Sequence, residues 1–334
     1  MFKKILLCLL AVLLFLSGCQ KKVDLPSYEV APPPDISSST IEEADISKYD
    51  GDKAKLRAMS YNLMPQSDKQ PVYERIPRLN ELLEEYKPDI VATAEADAHW
   101  RGLLQSTQLG PVDRYAYAFK GMGGDKGHIS SLGILYNRHR FTLLNSDAHF
   151  FDDYNDTEFH PGFYIGVFWA HFKDNITGKE FIATTTHWQF NSGKEPNWAN
   201  TTRTYQAKET ANLINSLTKK YNCPVIAMGD FNCYSVKDEE WYLDYMKKYN
   251  IKTTDFGDKY CMIPFEEKTG LISAKFYEGV KIGNTNEWPT IDNVYIHPDY
   301  FKAVYFENYS KANSDYGGII SDHCPVYADL VYKY

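Results

Sequence analysis

Several short apolar runs of this chain end in side chains able to bind a metal ion, move a proton or hold a phosphate group. Asn62 closes the run 56–61, Glu95 closes 90–94 and His187 closes 181–186. Gly229-Asp230-Phe231-Asn232 follows the run 224–228, Ile291-Asp292-Asn293 opens another, and Ser321-Asp322-His323-Cys324-Pro325-Val326 leads into the last. Cleaving a phosphate ester calls for a cation on the non-bridging oxygens, a base beside the attacking water and help for the leaving group. Glu95 and Asp322 are hard oxygen ligands suited to Mg2+ or Mn2+, with Ca2+ a further candidate. Asp230 and Asn232 lie two residues apart and so share one side of an extended segment. One can take a proton from water while the other's amide donates to a phosphate oxygen. His323 offers an imidazolium to the same phosphate, and a second acid such as Asp292 would fix its tautomer and raise its basicity. His187 is available to stabilise or protonate a leaving oxygen. Taken singly, each feature is ordinary: a capped turn, a solvated strand end, a half-buried histidine. Their joint occurrence, in order and each at the end of a strand-like run, points to an active site.

The elements that must position these residues follow from hydrophobic patterning. Strand-like runs cover 55–61, 89–95, 129–136, 164–172, 180–187, 225–229, 290–296 and 325–331, several of them alternating or β-branched. Helical patterns cover 73–86, 202–221 and 239–248. In the second helix Ala207, Ala211, Leu213, Ile214 and Leu217 mark an apolar face, and Lys219-Lys220 suit the negative end of the helix dipole. Strands outnumber helices and the helices fall between them, so a two-layer β core with helices outside is expected. Arg138-His139-Arg140 reads as a hairpin turn, and 234–289 as the loops that shape the substrate site.

The chain has 334 residues, 43% hydrophobic and 15% aromatic, enough for one large core. Its N-terminus reads differently. Lys3-Lys4 precede an apolar run over 5–16, which falls short of the ~20 residues of a spanning helix and marks 1–18 as an export signal. Leu16-Ser17-Gly18-Cys19 resembles a bacterial lipobox, which implies cleavage before Cys19 and lipidation of its thiol. Residues 19–53 contain Ala31-Pro32-Pro33-Pro34 and Ser37-Ser38-Ser39-Thr40 and read as a flexible tether; 54–334 then form the catalytic domain. The expectation is an exported monomer, lipid-anchored to a membrane of the bacterial cell envelope. A formal net charge of −8 argues against unspecific binding to polyanions. Bound divalent cations can still reverse a local field. Cys223, Cys233, Cys261 and Cys324 permit two disulfides, without the spacing of a zinc cluster. Cys324 reads as packing, and pairing of Cys233 with Cys261 stays open.

The ordered set Tyr61-Asn62, Glu95, Thr186-His187, Gly229-Asp230-Phe231-Asn232, Ile291-Asp292 and Ser321-Asp322-His323-Cys324-Pro325 resembles the endonuclease/exonuclease/phosphatase superfamily, whose fold is that of deoxyribonuclease I. The resemblance covers about 54–334 and implies an α/β/β/α sandwich: two packed, mainly antiparallel sheets flanked by helices. It implies Glu95 as main metal ligand with Asn62 and Asp322 near it, and Asp230 as the base. Asn232 becomes a phosphate donor, His323 with Asp292 the phosphate-binding imidazole, and His187 the second histidine. Ser131-Leu132-Gly133-Ile134-Leu135-Tyr136 resembles the family's central strand, and Arg203 and Gln206 a recurrent structural pair. Two departures bear on the site. Ala94 stands where a glutamine often precedes the metal glutamate, with Asp97 a further acid nearby, and bulky Trp188 follows His187.

The catalytic set implies a phosphoester and leaves the ester open. Trp100, Trp188, Trp198 and Trp288 lie near the site residues in sequence and can either form an aromatic wall for bases, sugars or head groups or serve as packing. Basic clusters that would track a nucleic-acid backbone are absent. The candidates are an extracellular nuclease and a phosphatase or phosphodiesterase acting on inositol phosphates, sphingomyelin-like lipids or small organophosphates. A catalytically inactive surface binding module is the third, disfavoured by the intact set from Asn62 to His323.

Overall fold

Along the strand Leu56–Asn62 (β1), Leu56 and Ala58 point into one apolar cluster while Met59 and Tyr61 point into another. That period of two recurs in every central strand and divides the core into three layers. The computed structural model describes residues 43–105, 114–119, 131–151, 166–190, 196–250, 261–283 and 289–334. The expected signal segment, Cys19 and most of the tether lie outside them, as do Trp288, the side chain of Trp198 and the first residues of the strands expected at 129–136 and 164–172.

After β1 come α1 (Val72–Tyr86), β2 (Ile90–Ala94), α2 (Ala98–Gln105), β3 (Tyr115–Phe119), β4 (Gly133–Asn137), β5 (Phe141–Phe150), β6 (Gly166–Asp174) and β7 (Glu180–His187). The second half runs α3 (Pro196–Tyr221), β8 (Val225–Asp230), α4 (Val236–Lys248), α5 (Ile263–Thr269), β9 (Ile272–Ser273), β10 (Lys281–Ile282), β11 (Asp292–Ile296), β12 (Phe301–Asn308) and β13 (Val326–Tyr332). Among the described residues these strands make two sheets, ordered β10-β12-β13-β1-β2-β4-β3 and β5-β6-β7-β8-β11-β9. Pairing is antiparallel except for β1 with β2, β7 with β8 and β10 with β12. The inner faces meet in one core that includes Ala58, Ala92, Phe168, Ala183, Met228, Val294 and Ala328. Outside the first sheet, Ile76, Leu79 and Leu83 of α1 and Trp100 of α2 cover Met59 and Val91. Outside the second, Ala207, Ala211 and Ile214 of α3 and Phe265 of α5 cover Ile182, Val225 and Tyr295. The expected α/β/β/α sandwich is present. Among the described residues no helix is long and apolar enough to cross a membrane.

Three local expectations differ from what forms. Residues 138–140 are no hairpin: they carry the chain from β4 in one sheet to β5 in the other. The segment 131–136 supplies β4, one place in from the sheet edge rather than at its centre. Residues 44–53, assigned to the tether, pack on the body because they satisfy buried groups there. The Ala44 amide donates to Thr142 Oγ1 at 3.2 Å, the Tyr49 hydroxyl to Asp89 Oδ1 at 2.7 Å, and Asp50 accepts from Lys87 and Arg114.

At this end of the sandwich the guanidinium of Arg140 is wholly buried. It donates to Asp89 Oδ2 at 3.0 Å, to Asp174 Oδ2 at 2.8 Å, to the Tyr49 hydroxyl and to the Lys55 carbonyl. Burial pushes the Asp89 carboxyl up, and the Arg140 charge opposes that shift. Removing one member of a buried ion cluster leaves the others uncompensated. Arg140→Met is therefore expected to destabilise the fold by about 3–5 kcal/mol, seen as a lowered urea midpoint, whereas a change below 1 kcal/mol would show the cluster to be dispensable.

Candidate active site

The same strand phase that fills the core delivers the polar residues to one rim between the sheets. Asn62 continues the inward series Leu56, Ala58; His187 continues Phe181, Ala183; Asp230 continues Ile226, Met228; Asp292 precedes Val294, Ile296. Register then aligns them: Asn62 lies beside Ala94, Asp230 beside His187, and Asp292 beside Asp230. Glu95, one past the inward Ala94, would fall out of phase, but its φ of +55° ends the pleat there. Gly229 is required for close approach. Its φ is +139° and a Cβ would lie 2.2 Å from the Thr186 carbonyl, while its amide donates across to Ser60 Oγ at 3.0 Å.

Asp230 is the centre of the arrangement. Its Oδ1 accepts from the Asn232 amide at 2.9 Å, held there by the left-handed φ of Asn232, and its Oδ2 accepts from Asn62 Nδ2 at 3.1 Å. His187 Nε2 lies 3.5 Å and His323 Nε2 3.8 Å from the same Oδ2. Glu95 Oε1 stands 3.7 Å from His187 Nε2. On the far side His323 Nδ1 and Asp292 Oδ2 are 2.6 Å apart. Burial alone would push the His323 imidazole down. The hydrogen bond to Asp292 and the charges of Asp292, Asp230 and Asp322 outweigh it and raise it to about 10. Burial, then the charge of Asp230, raise the Asp292 carboxyl to about 7 against the pull of His323. With Nδ1 committed to Asp292, Nε2 is left facing the site.

Seven of the eight predicted polar residues thus converge. Asp322 does not: it is exposed, and its Oδ1 touches only Ser321 Oγ at 3.4 Å among the described residues. Asn62 and Asn232 also spend part of their amides internally, Asn62 Oδ1 accepting from the Met64 amide and Asn232 Nδ2 donating to the Trp188 carbonyl. Arg203 and Gln206 are structural, as expected, holding the Gln189 backbone from α3 at 2.9 Å each. Trp100 and Trp188 have no exposed surface and form no aromatic wall. Cys233 and Cys261 are free thiols, the Cys233 Sγ lying 4.0 Å from Met262 Sδ.

The donor set fits a hard divalent cation. Glu95, Asp230 and Asp292 face one space, the Glu95 carboxylate makes no hydrogen bond among the described residues, its nearest charged neighbour being His187 Nε2 at 3.7 Å, and Asp292 Oδ1 is buried with no partner. Asp230, Asp292 and His323 also approach within 4.8 Å of one another. In that trio His323 Nδ1 is already engaged by Asp292 Oδ2 and is not free as a ligand atom. Two contributors carry no obvious chemistry in sequence. Ser321 Oγ donates to the Asn62 carbonyl at 2.6 Å and receives the His323 amide at 3.1 Å, tying the two sides of the site together. Ser60 supports Gly229. The signal for both was their position one strand period or two residues from a site residue.

The family model described as "Endonuclease/Exonuclease/phosphatase family" matches residues 66–323. The chain belongs to that family. Members of the endonuclease/exonuclease/phosphatase family are phosphoester hydrolases, generally dependent on divalent metal. Among solved structures the chain is similar to the mannosyl-6-phosphatase of Bacteroides thetaiotaomicron, at 20% identity over 83% of this chain and 99% of that one, with a TM-score of 0.59. It is similar to the human nocturnin catalytic domain at 16% identity over 84% and 95%, TM-score 0.57. The D. rerio TDP2 complexed with single-strand DNA product aligns at 15% over 83% and 99%, TM-score 0.55. These likenesses carry the family's fold. Among curated proteins none matches the chain.

Replacing Asp292 with Asn removes the hydrogen-bonding charge that holds the proton on His323 and leaves the opposing burial in place. The His323 titration is expected to fall by about 1–3 pH units from about 10, so the imidazolium present at neutral pH in the native protein is lost from the alkaline side first. An NMR titration of the histidine ring nitrogens reads this directly, and an unmoved His323 midpoint would discount the pair.

Proposed function

We propose that the protein hydrolyses phosphate esters with the help of a divalent cation, Asp230 drawing a proton from the attacking water. The observation that carries this reading is the setting of Asp230: a carboxylate only 1% exposed, fixed by Asn232 and Asn62, with its Oδ2 turned toward two imidazoles. Such a group is oriented before substrate arrives, which is the geometric requirement for general-base work. His323, kept protonated by Asp292, is suited to donate from Nε2 to a phosphate oxygen as charge develops. The second N–H of the Asn232 amide is suited to the same phosphate, and His187, between Glu95 and Asp230, to the leaving oxygen. Glu95 would hold the cation, Mg2+ or Mn2+, with Asn62 beside it, while Asp322, exposed and outside the cluster, is not in place to share it. When bound, that cation neutralises non-bridging oxygens and orients the ester.

For substrate, we infer a compact organophosphate ahead of a nucleic acid. Supporting this are the burial of Trp100 and Trp188, which removes two rings from those available to stack on bases, and the acidic balance of the chain. A phosphatase on a sugar phosphate, the class named by the similar Bacteroides mannosyl-6-phosphatase, fits that inference. The nuclease reading draws on the fold shared with TDP2 bound to DNA product. Surface anchoring through Cys19 belongs to the same proposal.

Asp230→Asn is expected to lower kcat about 10²–10⁴-fold and His323→Ala about 10²–10³-fold, with thermal unfolding still cooperative. EDTA should abolish turnover, and Mg2+ or Mn2+ restore it. Near-native turnover in either variant would remove the assigned roles. Sugar phosphates, inositol phosphates, sphingomyelin, DNA, RNA and an aryl phosphodiester, offered side by side, decide the substrate class; preference for DNA or RNA would reverse the inference. Separately, Cys19→Ala should move the protein from the membrane to the soluble fraction, and unchanged sedimentation would end the anchoring proposal.

A further inference from the structure

The inner stripe of α1 is apolar at Val72, Ile76, Leu79, Leu82 and Leu83, and Arg75 lies on that same stripe with no exposed surface. Its guanidinium meets four main-chain carbonyls from two separate segments. Nη1 donates to Leu63 O at 2.7 Å and to Ile320 O at 3.0 Å; Nη2 donates to Met64 O and Pro65 O, both at 2.9 Å. The group lies over the Trp100 ring, 4.8 Å from its centre, and the indole Nε1 donates to the Met64 carbonyl as well. Among the described residues no carboxylate stands within ion-pair distance of it.

Burying a cation without a counterion is costly. Covering an apolar sheet face would be done at lower cost by a leucine or methionine, so the charge and its planar fork answer another need. Residues 63–65 leave the strand ladder, Met64 with φ +54°, and their carbonyls need donors that a regular sheet would have supplied. A guanidinium presents its donors in a rigid plane and can reach several such acceptors at once, which an ammonium does less well.

The two segments it joins are the ones that carry the two sides of the site. Residues 63–65 follow Asn62, which holds Asp230, and Ile320 precedes Ser321-Asp322-His323. The Ser321 hydroxyl links the same two segments from the site side, at 2.6 Å to the Asn62 carbonyl. Resting on the phosphoesterase reading, we propose that Arg75 is a positioning residue: from behind the first sheet it sets the spacing between the Asn62 segment and the Asp322-His323 segment, and so aligns the base with the phosphate-binding imidazole.

The full chain with Arg75→Met and Arg75→Lys tests this by site-resolved hydrogen exchange together with kinetics. In Arg75→Met the amides of 62–65 and 320–323 are expected to exchange at least about 10-fold faster while those of β7 and β8 hold. Arg75→Lys, which keeps the charge and some donors, should lie between it and the native protein. On the best substrate of the panel, kcat should fall about 10- to 100-fold with KM changed less than about threefold, and the lysine variant should recover part of it. Faster exchange spread evenly over the molecule, or no local change, would make Arg75 a packing residue and overturn the proposal. Local loosening with native kcat would equally overturn the alignment role. Should the native protein turn over nothing in the panel, the phosphoesterase reading fails on its own, and the exchange pattern still decides whether Arg75 clamps the two segments.

Discussion

A carboxylate buried between two sheets must be matched by donors, and most of the site follows from that demand at Asp230. Its strand phase forces the side chain inward, where water cannot solvate it. The Asn232 amide answers from two residues on, and the Asn62 side chain and two imidazoles from three other places in the chain. Each answering group is itself held: Asn62 by the Met64 amide, His323 by Asp292, His187 by its place at the end of β7. The cost of an unmatched charge thus becomes the force that keeps the groups of the site within reach of one another. Glycine at 229 lets the strand pass close enough to Thr186 for this to happen.

Two arginines with no exposed surface, Arg140 and Arg75, solve different problems with the same side chain. Arg140 neutralises Asp89 and Asp174 at the closed end of the sandwich, where no chemistry is needed, and draws residues 44–53 onto the body through Tyr49. Arg75 meets only carbonyls, at the open end, where backbone has left the sheet to build the site. A stable closed end and an irregular open end are the usual division of labour in an α/β sandwich: regular ladders satisfy backbone groups by themselves, while site loops require outside donors.

The protein's chemistry and its choice of substrate rest on different layers. Carboxylates and imidazoles at the rim belong to strands and are held by the core. Selectivity falls to what surrounds the rim, and there Trp100 and Trp188, near the site in sequence, turn away from it into the helix-covered outer clusters. Trp100 serves the site indirectly, by supporting the Met64 carbonyl and stacking on Arg75. An aromatic residue a few positions from a site residue is on the same face only if the intervening backbone keeps a regular period, and at Glu95 it does not.

Read without coordinates, the chain already determined its fold class, most strand positions and seven of the residues that meet at the rim, because alternation of apolar and polar side chains is a local property and carries the inward phase of each strand with it. Arg75 was legible too in principle, as a charge on an apolar helical stripe, but nothing local said what it would touch. Tertiary structure decided the rest. It turned Arg140 from a turn residue into a buried ion hub, put Asp322 outside the cluster and Trp188 beneath it, and gave Ser321 a partner 259 residues away. Those outcomes depend on contacts between segments far apart in the chain, and the free energies that choose among them, desolvation above all, exist only once both partners are in place.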